Sequence, residues 1–260
     1  MNKNYAQIEK SIKRYIKEKV GDNKVLIGLS GGLDSSLLCL LAADALGKDK
    51  VKALSVKRAK KEKNLKLCQE FAQKYKLPLS VVSTKKMRKD AIKKCNIDTE
   101  NVIDISTMDA RLIAFMIKET ARKDGRICLG TINGTERLTG WYPKGCLVGD
   151  FAPLGGLFKM QEKGMAKKLG LEHLIYTVSE SADRICSVSG GGGSCSELEG
   201  ISYDDLDEIL YTYHISSKED LFANLLALKM KKDTILRVLK RVSFVAHKMD
   251  VFPNYCRVNF

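Results

Sequence analysis

The sequence predicts an α/β fold in which a parallel sheet carries helices on both faces and is followed by a mainly helical C-terminal part. Short apolar runs alternate with segments of helical length over roughly the first 130 residues. Glycines end several of these runs, as is typical of strands that stop at a turn. Such alternation favours parallel pairing, because each crossover helix returns the chain to the same end of the sheet.

The elements follow one another in a regular order. A lysine-rich amphipathic helix at 4–19 precedes the apolar run KVLIGL, which has strand length. The next predicted elements are a helix at 35–47, a strand at 51–56, a helix at 64–76, a strand at 79–82, a helix through 107–123 and a strand at 126–130. Beyond Leu154 the chain is mainly helical, apart from the strand-like LIYTV at 174–178. We therefore expect a Rossmann-like, doubly wound sheet that binds ligands at the carboxyl ends of its strands.

Length and composition favour one cytoplasmic domain. With 260 residues, of which 44% are hydrophobic, the chain can bury one substantial core, and we expect a single domain over 1–260. The longest apolar run, Leu37–Ala43, is far shorter than the ~20 residues of a membrane span. The N-terminal stretch has no apolar signal region. Eight cysteines without a CxxC pair indicate reduced thiols, so we expect a cytoplasmic protein without a membrane partner.

The net charge of +14 raises the question of a nucleic-acid partner. The excess is mostly lysine, spread along helical stretches such as 57–66 and 85–94, and no arginine-rich or aromatic-interleaved patch stands out. A solvated basic surface is therefore favoured over a nucleic-acid interface. A basic cleft would also suit a polyanionic small substrate.

A glycine-rich loop, SGGLDSS, joins the first predicted strand to the following helix. This arrangement directs several backbone N–H groups at one point near a helix N-terminus, which is a phosphate-binding geometry. The motif is neither GxxxxGK(S/T) nor GxGxxG, and a tight turn alone explains only one glycine and a capping serine. The residues that we expect to contact the phosphate-bearing ligand here are Gly28, Leu29, Ser30, Gly31, Gly32, Leu33, Asp34 and Ser35.

The loop resembles the SGGxDS signature of the ATP pyrophosphatases, which cleave ATP between its α and β phosphates. A carboxylate at Asp34 beside bound phosphates is unfavourable unless a cation neutralises it. Hard oxygen ligands next to phosphate point to Mg²⁺.

The second half of the chain resembles the NAD synthetases. The segment GTINGTERLTGWYPK at 130–144 is similar to a GTxxxxExxxGxxxK stretch of that family. GGLFKMQ, SESAD, ELEGISYDDLDEIL and a His-Lys pair then follow in the family's order, so that the resemblance covers about 24–253. It implies an ammonia-dependent NAD synthetase, which activates the carboxylate of deamido-NAD with ATP and converts it to the amide. It also implies a homodimer.

The resemblance assigns roles residue by residue. Asp34 and Glu136 are implied as magnesium ligands, and Thr131, Lys159 and Ser181 as further ATP contacts, with Lys159 also catalytic. The residues implied to hold deamido-NAD are Arg111, Lys144, Asp150, His247 and Lys248. Taken singly, some have ordinary structural explanations: Arg111 could pair with Asp109 or with a distant acid, and His247 could cap a helix C-terminus.

The reaction also needs an acid that holds and deprotonates ammonium, since most ammonia is protonated at neutral pH. Asp183 in SESAD is our expectation for that role. The chain leaves no room for a glutaminase domain, which predicts free ammonia or a separate partner as the nitrogen source. The stretch at 186–200, which contains GGGGS, departs from the acidic loop of the family and is expected to be mobile without ligand.

Two alternatives remain open at this point. Another ATP pyrophosphatase, such as a tRNA-thiolating enzyme, would suit the basic charge and the eight cysteines, although no CxxC pair is present. A degenerate nucleotide-binding paralogue would suit the altered loop at 186–200.

Overall fold

The computed structural model describes residues 1, 3–58, 63–146, 149–175 and 198–249, and it contains the predicted parallel sheet. Four parallel strands lie in the order β3-β2-β1-β4. Val25 of the first strand is opposite both Val51 and Ile127. The strands are β1 Val25–Gly28, β2 Val51–Lys57, β3 Leu79–Ser83 and β4 Ile127–Leu129. Since β1 lies between β2 and β4, the chain direction through the sheet reverses there, and ligands of such sheets bind at this kind of position.

The helices occupy most of the remaining described chain. They are α1 Tyr5–Val20, α2 Leu33–Leu46, α3 Lys63–Tyr75, α4 Lys85–Cys95, α5 Val102–Lys123, α6 Gly134–Thr139, α7 Lys159–Lys168, α8 Glu172–Ile175, α9 Tyr203–Ile215, α10 Leu221–Ala227 and α11 Lys232–Val245. None of those within the described ranges has the length and apolarity needed to cross a bilayer.

One predicted strand, at 174–178, is wrong over the two residues that the structure describes. Leu174 and Ile175, which begin the strand-like run LIYTV, end the short helix α8 instead. Leu174 is buried in the core beside α7, so tertiary packing overrides the strand propensity of this apolar run. Residues 176–178 of that run lie outside the described ranges.

Alternating residues of the strands face opposite layers of helices. Leu26, Leu54 and Cys128 pack against Ile117 and Ala121 of α5. The intervening strand residues enter a larger core with α1, α2 and α7, and they are Val25, Ile27, Val51, Ala53 and Leu129. This two-sided burial confirms the doubly wound arrangement and explains why the strands read as nearly continuous apolar runs.

A second core forms among the C-terminal helices. Residues of α9 and α11 pack around Leu138 of α6 and around Phe158, which directly precedes α7. Leu157, one residue earlier, belongs to the core of the sheet. The segment that enters α7 therefore joins the two cores, and its backbone is fixed from both sides.

The end of α6 supplies a test of this packing. Gly140 has φ +65°, and a Cβ on it would lie 2.4 Å from Cβ of Val245 in α11. We expect Gly140→Ala to lower the free energy of unfolding by about 1–3 kcal/mol more than Gly170→Ala. Gly170 is the matched control, because it has φ +71° and no atom within 4 Å of its added Cβ. Urea denaturation of both variants gives the comparison, and equal destabilisation would contradict the packing of α11 on α6.

Candidate active site

The glycine loop joins β1 to α2 at the carboxyl end of the sheet. Ser30 and Ser35 close it: the N–H of Ser30 donates to Oγ of Ser35 at 3.1 Å, and the two hydroxyl oxygens are 3.0 Å apart. Helix α2 begins at Leu33, and its N-cap residue, Gly32, supplies no side-chain cap. Its first N–H groups and the positive end of its dipole therefore remain available to an anion.

Gly31 is required by the shape of this loop. It has φ +81°, and a Cβ on it would lie 3.1 Å from the carbonyl oxygen of Asn64 and 3.2 Å from Cβ of Leu67. A residue with a side chain would be strained by its backbone angle and crowded by α3. The first glycine of the motif is thus explained by local geometry, and the loop packs against α3.

A charged cluster lies directly beside the loop. Nζ of Lys159, at the start of α7, is ion-paired with Oδ1 of Asp34 and lies 2.8 Å from Oε2 of Glu162. The side chains of Lys159 and Glu162 are 6% and 0% exposed, whereas that of Asp34 is 23% exposed. Asp34 therefore occupies the open side of the lysine and Glu162 the interior side. Glu136 belongs to the same cluster, because its charge interacts with those of Asp34 and Lys159.

The cluster holds three carboxyl groups and one lysine in a poorly solvated place. Burial raises the pKa of Glu136 to about 7, and the charge of Asp34 adds to the shift. Burial and the charge of Asp34 also raise the pKa of Glu162 well above its usual range. For Asp34 the effect of burial is outweighed, first by the charge of Lys159, and its pKa is lowered. A further positive charge at this position would favour the ionised form of all three carboxyl groups.

The excess of carboxyl groups over positive charges in this cluster fits a divalent cation held by Asp34 and Glu136. Among the described residues, no group of three or more His, Cys, Asp and Glu side chains is arranged as a complete metal centre. Mg²⁺ does not need one, since it commonly takes one or two carboxylates and completes its shell with phosphate oxygens and water. The donor set therefore fits a metal ion that arrives with a nucleotide.

A second set of buried hydrogen bonds fixes the backbone that carries these groups. The amide oxygen of Asn133 accepts from the N–H of Glu136 at 2.8 Å, and the side chain of Glu136 accepts from the N–H of Asn133 in return. This capping box defines where α6 begins.

Asp207 of α9 performs the corresponding task at the start of α7. Its carboxylate accepts from the hydroxyl of Thr135 at 2.6 Å and from the N–H of Met160 at 2.7 Å. Thr135 Oγ1 in turn accepts from the N–H of Lys159 at 2.9 Å. One buried carboxylate thus holds the first turns of both α6 and α7, and therefore the positions of Glu136 and Lys159.

A cavity of about 300 Å³ lies next to the loop, at the carboxyl ends of β1, β2 and β4. Thr131 lines it together with Ser30, as expected from the sequence. Its other lining includes the loop residues Gly28 and Leu29 and the apolar side chains Leu54, Val56, Ile113 and Ile117. An apolar slot beside a phosphate-binding loop suits a flat nucleobase.

The residues expected to hold deamido-NAD fall into two places. Arg111 of α5 lies beside the thiol of Cys146. Cys146 follows the exposed Lys144 by two residues in the chain. Asp150 accepts from the N–H of Cys128 at 2.8 Å, so it is held against β4. Asp109, one of the acids with which Arg111 could pair, is ion-paired with Arg88 at 2.9 Å.

His247 and Lys248 lie in the second place, after α11. Lys248 is buried, and its Nζ donates to the carbonyl oxygens of Gly140 and Tyr142 at 2.8 and 3.1 Å. Burial, with the nearby charge of Arg241, lowers the pKa of Lys248 to about 8. His247 is exposed, and its Nδ1 lies 3.0 Å from the carbonyl oxygen of Phe244 near the end of α11, which matches the capping alternative. In this structure Lys248 therefore binds backbone carbonyl groups that follow α6, and His247 lies against one near the end of α11.

Three predicted features lie outside the described residues. They are Ser181, Asp183 and the loop at 186–200 apart from its last three residues.

The structure also reveals residues that sequence reasoning missed, namely Glu162, Asn133 and Asp207. A signal for Asp207 was present in the sequence, because Tyr203, Leu206 and Leu210 form a helical apolar stripe into which Asp207 falls. A carboxylate within such a stripe indicates a buried, hydrogen-bonded acid. Glu162 follows Lys159 by three residues, which places both side chains on one face of a helix.

Taken together, the doubly wound sheet, the SGGLDSS loop after its first strand and the cavity beside it define a nucleotide-binding protein of the ATP pyrophosphatase class. Comparisons with known proteins narrow this class. The family model described as NAD synthase matches residues 4–251. The chain therefore belongs to the NAD synthase family.

Individual relatives agree with this assignment. A protein of Pyrococcus horikoshii named NH(3)-dependent NAD(+) synthetase is 34% identical over 210 residues, which cover 80% of this chain and 78% of the relative. Its counterpart in Thermococcus sibiricus is 32% identical over 243 residues, or 90% and 87% of the two chains. The solved structure of an NH3-dependent NAD synthetase from Campylobacter jejuni shares the fold, with a TM-score of 0.75 at 23% identity over 98% of this chain and 100% of that one.

The burial of Asp207 leads to a prediction about pH. Burial raises its pKa to about 6, against the hydrogen bonds from Thr135 and Met160 and the charge of Lys159, while Asp204 adds to the rise. The folded state therefore binds the proton more tightly than the unfolded state, so this contribution to stability is complete below pH ~4 and lost as the pH rises through about 6.

In the wild type the free energy of unfolding should fall between pH 4 and 7 as Asp207 loses its proton. We expect Asp207→Asn to reduce this fall by on the order of 2–3 kcal/mol. Urea denaturation across this range measures the slope. Asp205→Asn, at an exposed position of the same helix, is the control and should retain the slope. An unchanged slope in Asp207→Asn would contradict the burial of this carboxylate.

Proposed function

We propose that this protein is an ammonia-dependent NAD synthetase, which amidates deamido-NAD in two steps with ATP. The observation that carries the proposal is the pairing of Asp34 with Lys159 at the mouth of the phosphate-binding loop, beside a cavity of nucleobase size. Membership of the NAD synthase family supports it.

In the first step, the nicotinate carboxylate of deamido-NAD attacks the α-phosphorus of ATP. The bond from that phosphorus to the oxygen bridging to the β-phosphorus breaks, and pyrophosphate leaves. This activation is needed because a carboxylate has no acceptable leaving group of its own. In the second step, ammonia attacks the acyl carbon, the bond to the phosphate oxygen of AMP breaks, and a proton is lost.

The residues of the loop suit the binding of ATP. The adenine would lie in the cavity between Leu54, Val56 and Ile117, with Thr131 at its polar edge. The phosphates would then meet the N–H groups at the start of α2, which has no side-chain cap. The N–H of Gly32 donates to Oγ of Ser30 at 3.2 Å and would have to exchange that bond for a phosphate oxygen. Backbone donors that already face the departing charge need little reorganisation during the reaction.

The charged cluster suits the departing pyrophosphate. Lys159 can exchange its ion pair with Asp34 for contacts to phosphate oxygens. Asp34 and Glu136 would then hold Mg²⁺, which supplies charge neutralisation for the phosphates when it is bound. Asp34 is on the open side of the cluster, so it is the carboxylate placed to make this exchange.

The other predicted roles remain part of the proposal. Arg111, Lys144 and Asp150 would hold deamido-NAD, together with His247 and Lys248 beyond α11. Lys248 would do so after it leaves its carbonyl partners. Ser181 would contact ATP, and Asp183 would accept the proton from ammonium. We propose further that the enzyme is a cytoplasmic homodimer and that residues 1–260 act as one domain.

Product analysis tests the proposed function. The purified chain is mixed with ATP, Mg²⁺, deamido-NAD and ammonium, and NAD, AMP and pyrophosphate are measured. We expect the three products in equal amounts with ammonium and none with ammonia-free glutamine. In a parallel reaction, deamido-NAD is replaced by nicotinate mononucleotide, which lacks its AMP half. This comparison shows which of the two carboxylic acids is the substrate. ATP cleavage to ADP, or the absence of NAD, would contradict the proposal.

Two isosteric substitutions test the metal-binding carboxylates. Asp34→Asn and Glu136→Gln should lower the rate of pyrophosphate release at least about a hundredfold. Each removes a charged ligand of the metal ion that would neutralise the phosphates. Circular dichroism and thermal unfolding should show a retained fold. Asp49→Asn, at an exposed position between α2 and β2, is the matched control and should release pyrophosphate normally. A normal rate in either site variant would refute its assignment.

A further inference from the structure

Glu162 is the most deeply buried carboxyl group of the cluster, and the proposed reaction gives it no task. Its side chain is 0% exposed, and Oε2 lies 2.8 Å from Nζ of Lys159 and 3.5 Å from Nδ2 of Asn133. Its other oxygen, Oε1, is buried and has no hydrogen-bond partner. Leaving a buried polar atom without a partner is unfavourable.

Stability alone is a poor explanation for this residue. Lys159 is already ion-paired with Asp34, so the lysine would keep a partner without Glu162. An apolar side chain of similar size would fill the same space and would leave no unpaired oxygen. Removing one partner of a buried ion pair is strongly destabilising when the other charge is left uncompensated, but here Lys159 would keep Asp34.

We infer that Glu162 is a positioning residue that retains Lys159 when Asp34 leaves it for a metal ion and the phosphates of ATP. The inference rests on the proposed function of Asp34 and Lys159. The geometry that carries it is the placement of the lysine between two acceptors, with Asp34 on the open side and Glu162 on the interior side.

The position of Glu162 in the chain makes it a fixed anchor. It is three residues beyond Lys159 in α7, so the two side chains share one helix face and their relative position does not depend on loop closure. The start of that helix is held by Asp207 and Thr135. An acceptor oxygen at position 162 therefore lets Lys159 give up one partner and keep another, with its remaining N–H groups directed at the phosphates.

Without this acceptor, binding of the metal ion by Asp34 would leave the lysine ammonium buried and unpaired. The loss should therefore fall on the binding of metal and nucleotide rather than on folding. This distinguishes a positioning role from a structural one, which would alter stability first.

Two variants of the full chain test the inference. Glu162→Met removes the acceptor and keeps an unbranched side chain of similar length, whereas Glu162→Gln keeps an acceptor oxygen. The probe is α,β-methylene-ATP, which is not cleaved between its α and β phosphates, titrated calorimetrically with and without Mg²⁺. Thermal unfolding is measured in parallel. Ile16→Ala, on α1 in the core of the sheet and outside the charged cluster, is the control for lowered stability.

The expected result is a split between the two variants. In Glu162→Met the affinity for the analogue in the presence of Mg²⁺ falls at least tenfold while the melting temperature is equal to or above that of the wild type. In Glu162→Gln the affinity stays within about threefold of the wild type, and Ile16→Ala melts lower with unchanged affinity. Wild-type affinity in Glu162→Met, an equal loss in both variants, or failure of Glu162→Met to fold would each overturn the inference.

Product analysis separates this inference from the proposed function. If the wild type forms no NAD but the affinities still divide as expected, the proposed reaction is wrong and the role of Glu162 stands. If NAD is formed and Glu162→Met binds the analogue normally, the role of Glu162 alone is overturned.

Discussion

The ion pair between Lys159 and Asp34 joins two parts of the chain that are 125 residues apart in sequence. Asp34 is fixed by the sheet, because it lies in the first turn of the helix that follows β1. Lys159 is fixed by the C-terminal helices, because the start of α7 is hydrogen-bonded to Asp207 of α9. Lys159 therefore reaches the phosphate-binding loop only when both hydrophobic cores are formed.

This arrangement accounts for the unusual number of buried polar groups around α6 and α7. Asn133, Thr135, Glu162 and Asp207 are all buried, and each has a hydrogen bond or ion pair to another member of the site. Burial of such groups is unfavourable unless they are paired. In a nucleotide-binding site the same burial strengthens every charge that faces the phosphates, since little water screens it.

The sequence predicted the parallel sheet and the location of the site because these depend on local signals. Apolar runs that end in glycine define the strands, and the SGGLDSS motif marks the one loop where backbone must approach a ligand. Lys159 and Glu136 were predicted only through resemblance to a family, since no local pattern brings them to Asp34. The cluster forms through contacts between segments distant in the chain, which spacing alone does not reveal.

The residues that escaped prediction are those whose meaning depends on tertiary burial. Glu162 looks like a solvated helix residue in the sequence, yet its side chain is fully enclosed. For Lys248, which resemblance to the family assigns to the substrate, no pattern in the sequence indicated that its amine donates to the carbonyl groups of Gly140 and Tyr142. In both cases a charged side chain near a helix end is compatible with surface, capping and active-site roles, and only the three-dimensional neighbours distinguish them.

The central claim is that the carboxylate of the acid substrate attacks the α-phosphorus of ATP at the loop beside Asp34 and Lys159. Deamido-NAD labelled with ¹⁸O in both carboxylate oxygens tests it directly when the products are analysed by mass spectrometry. The account predicts one labelled oxygen in AMP, one in the NAD amide and none in pyrophosphate. Label in pyrophosphate or in inorganic phosphate, with unlabelled AMP, would contradict it.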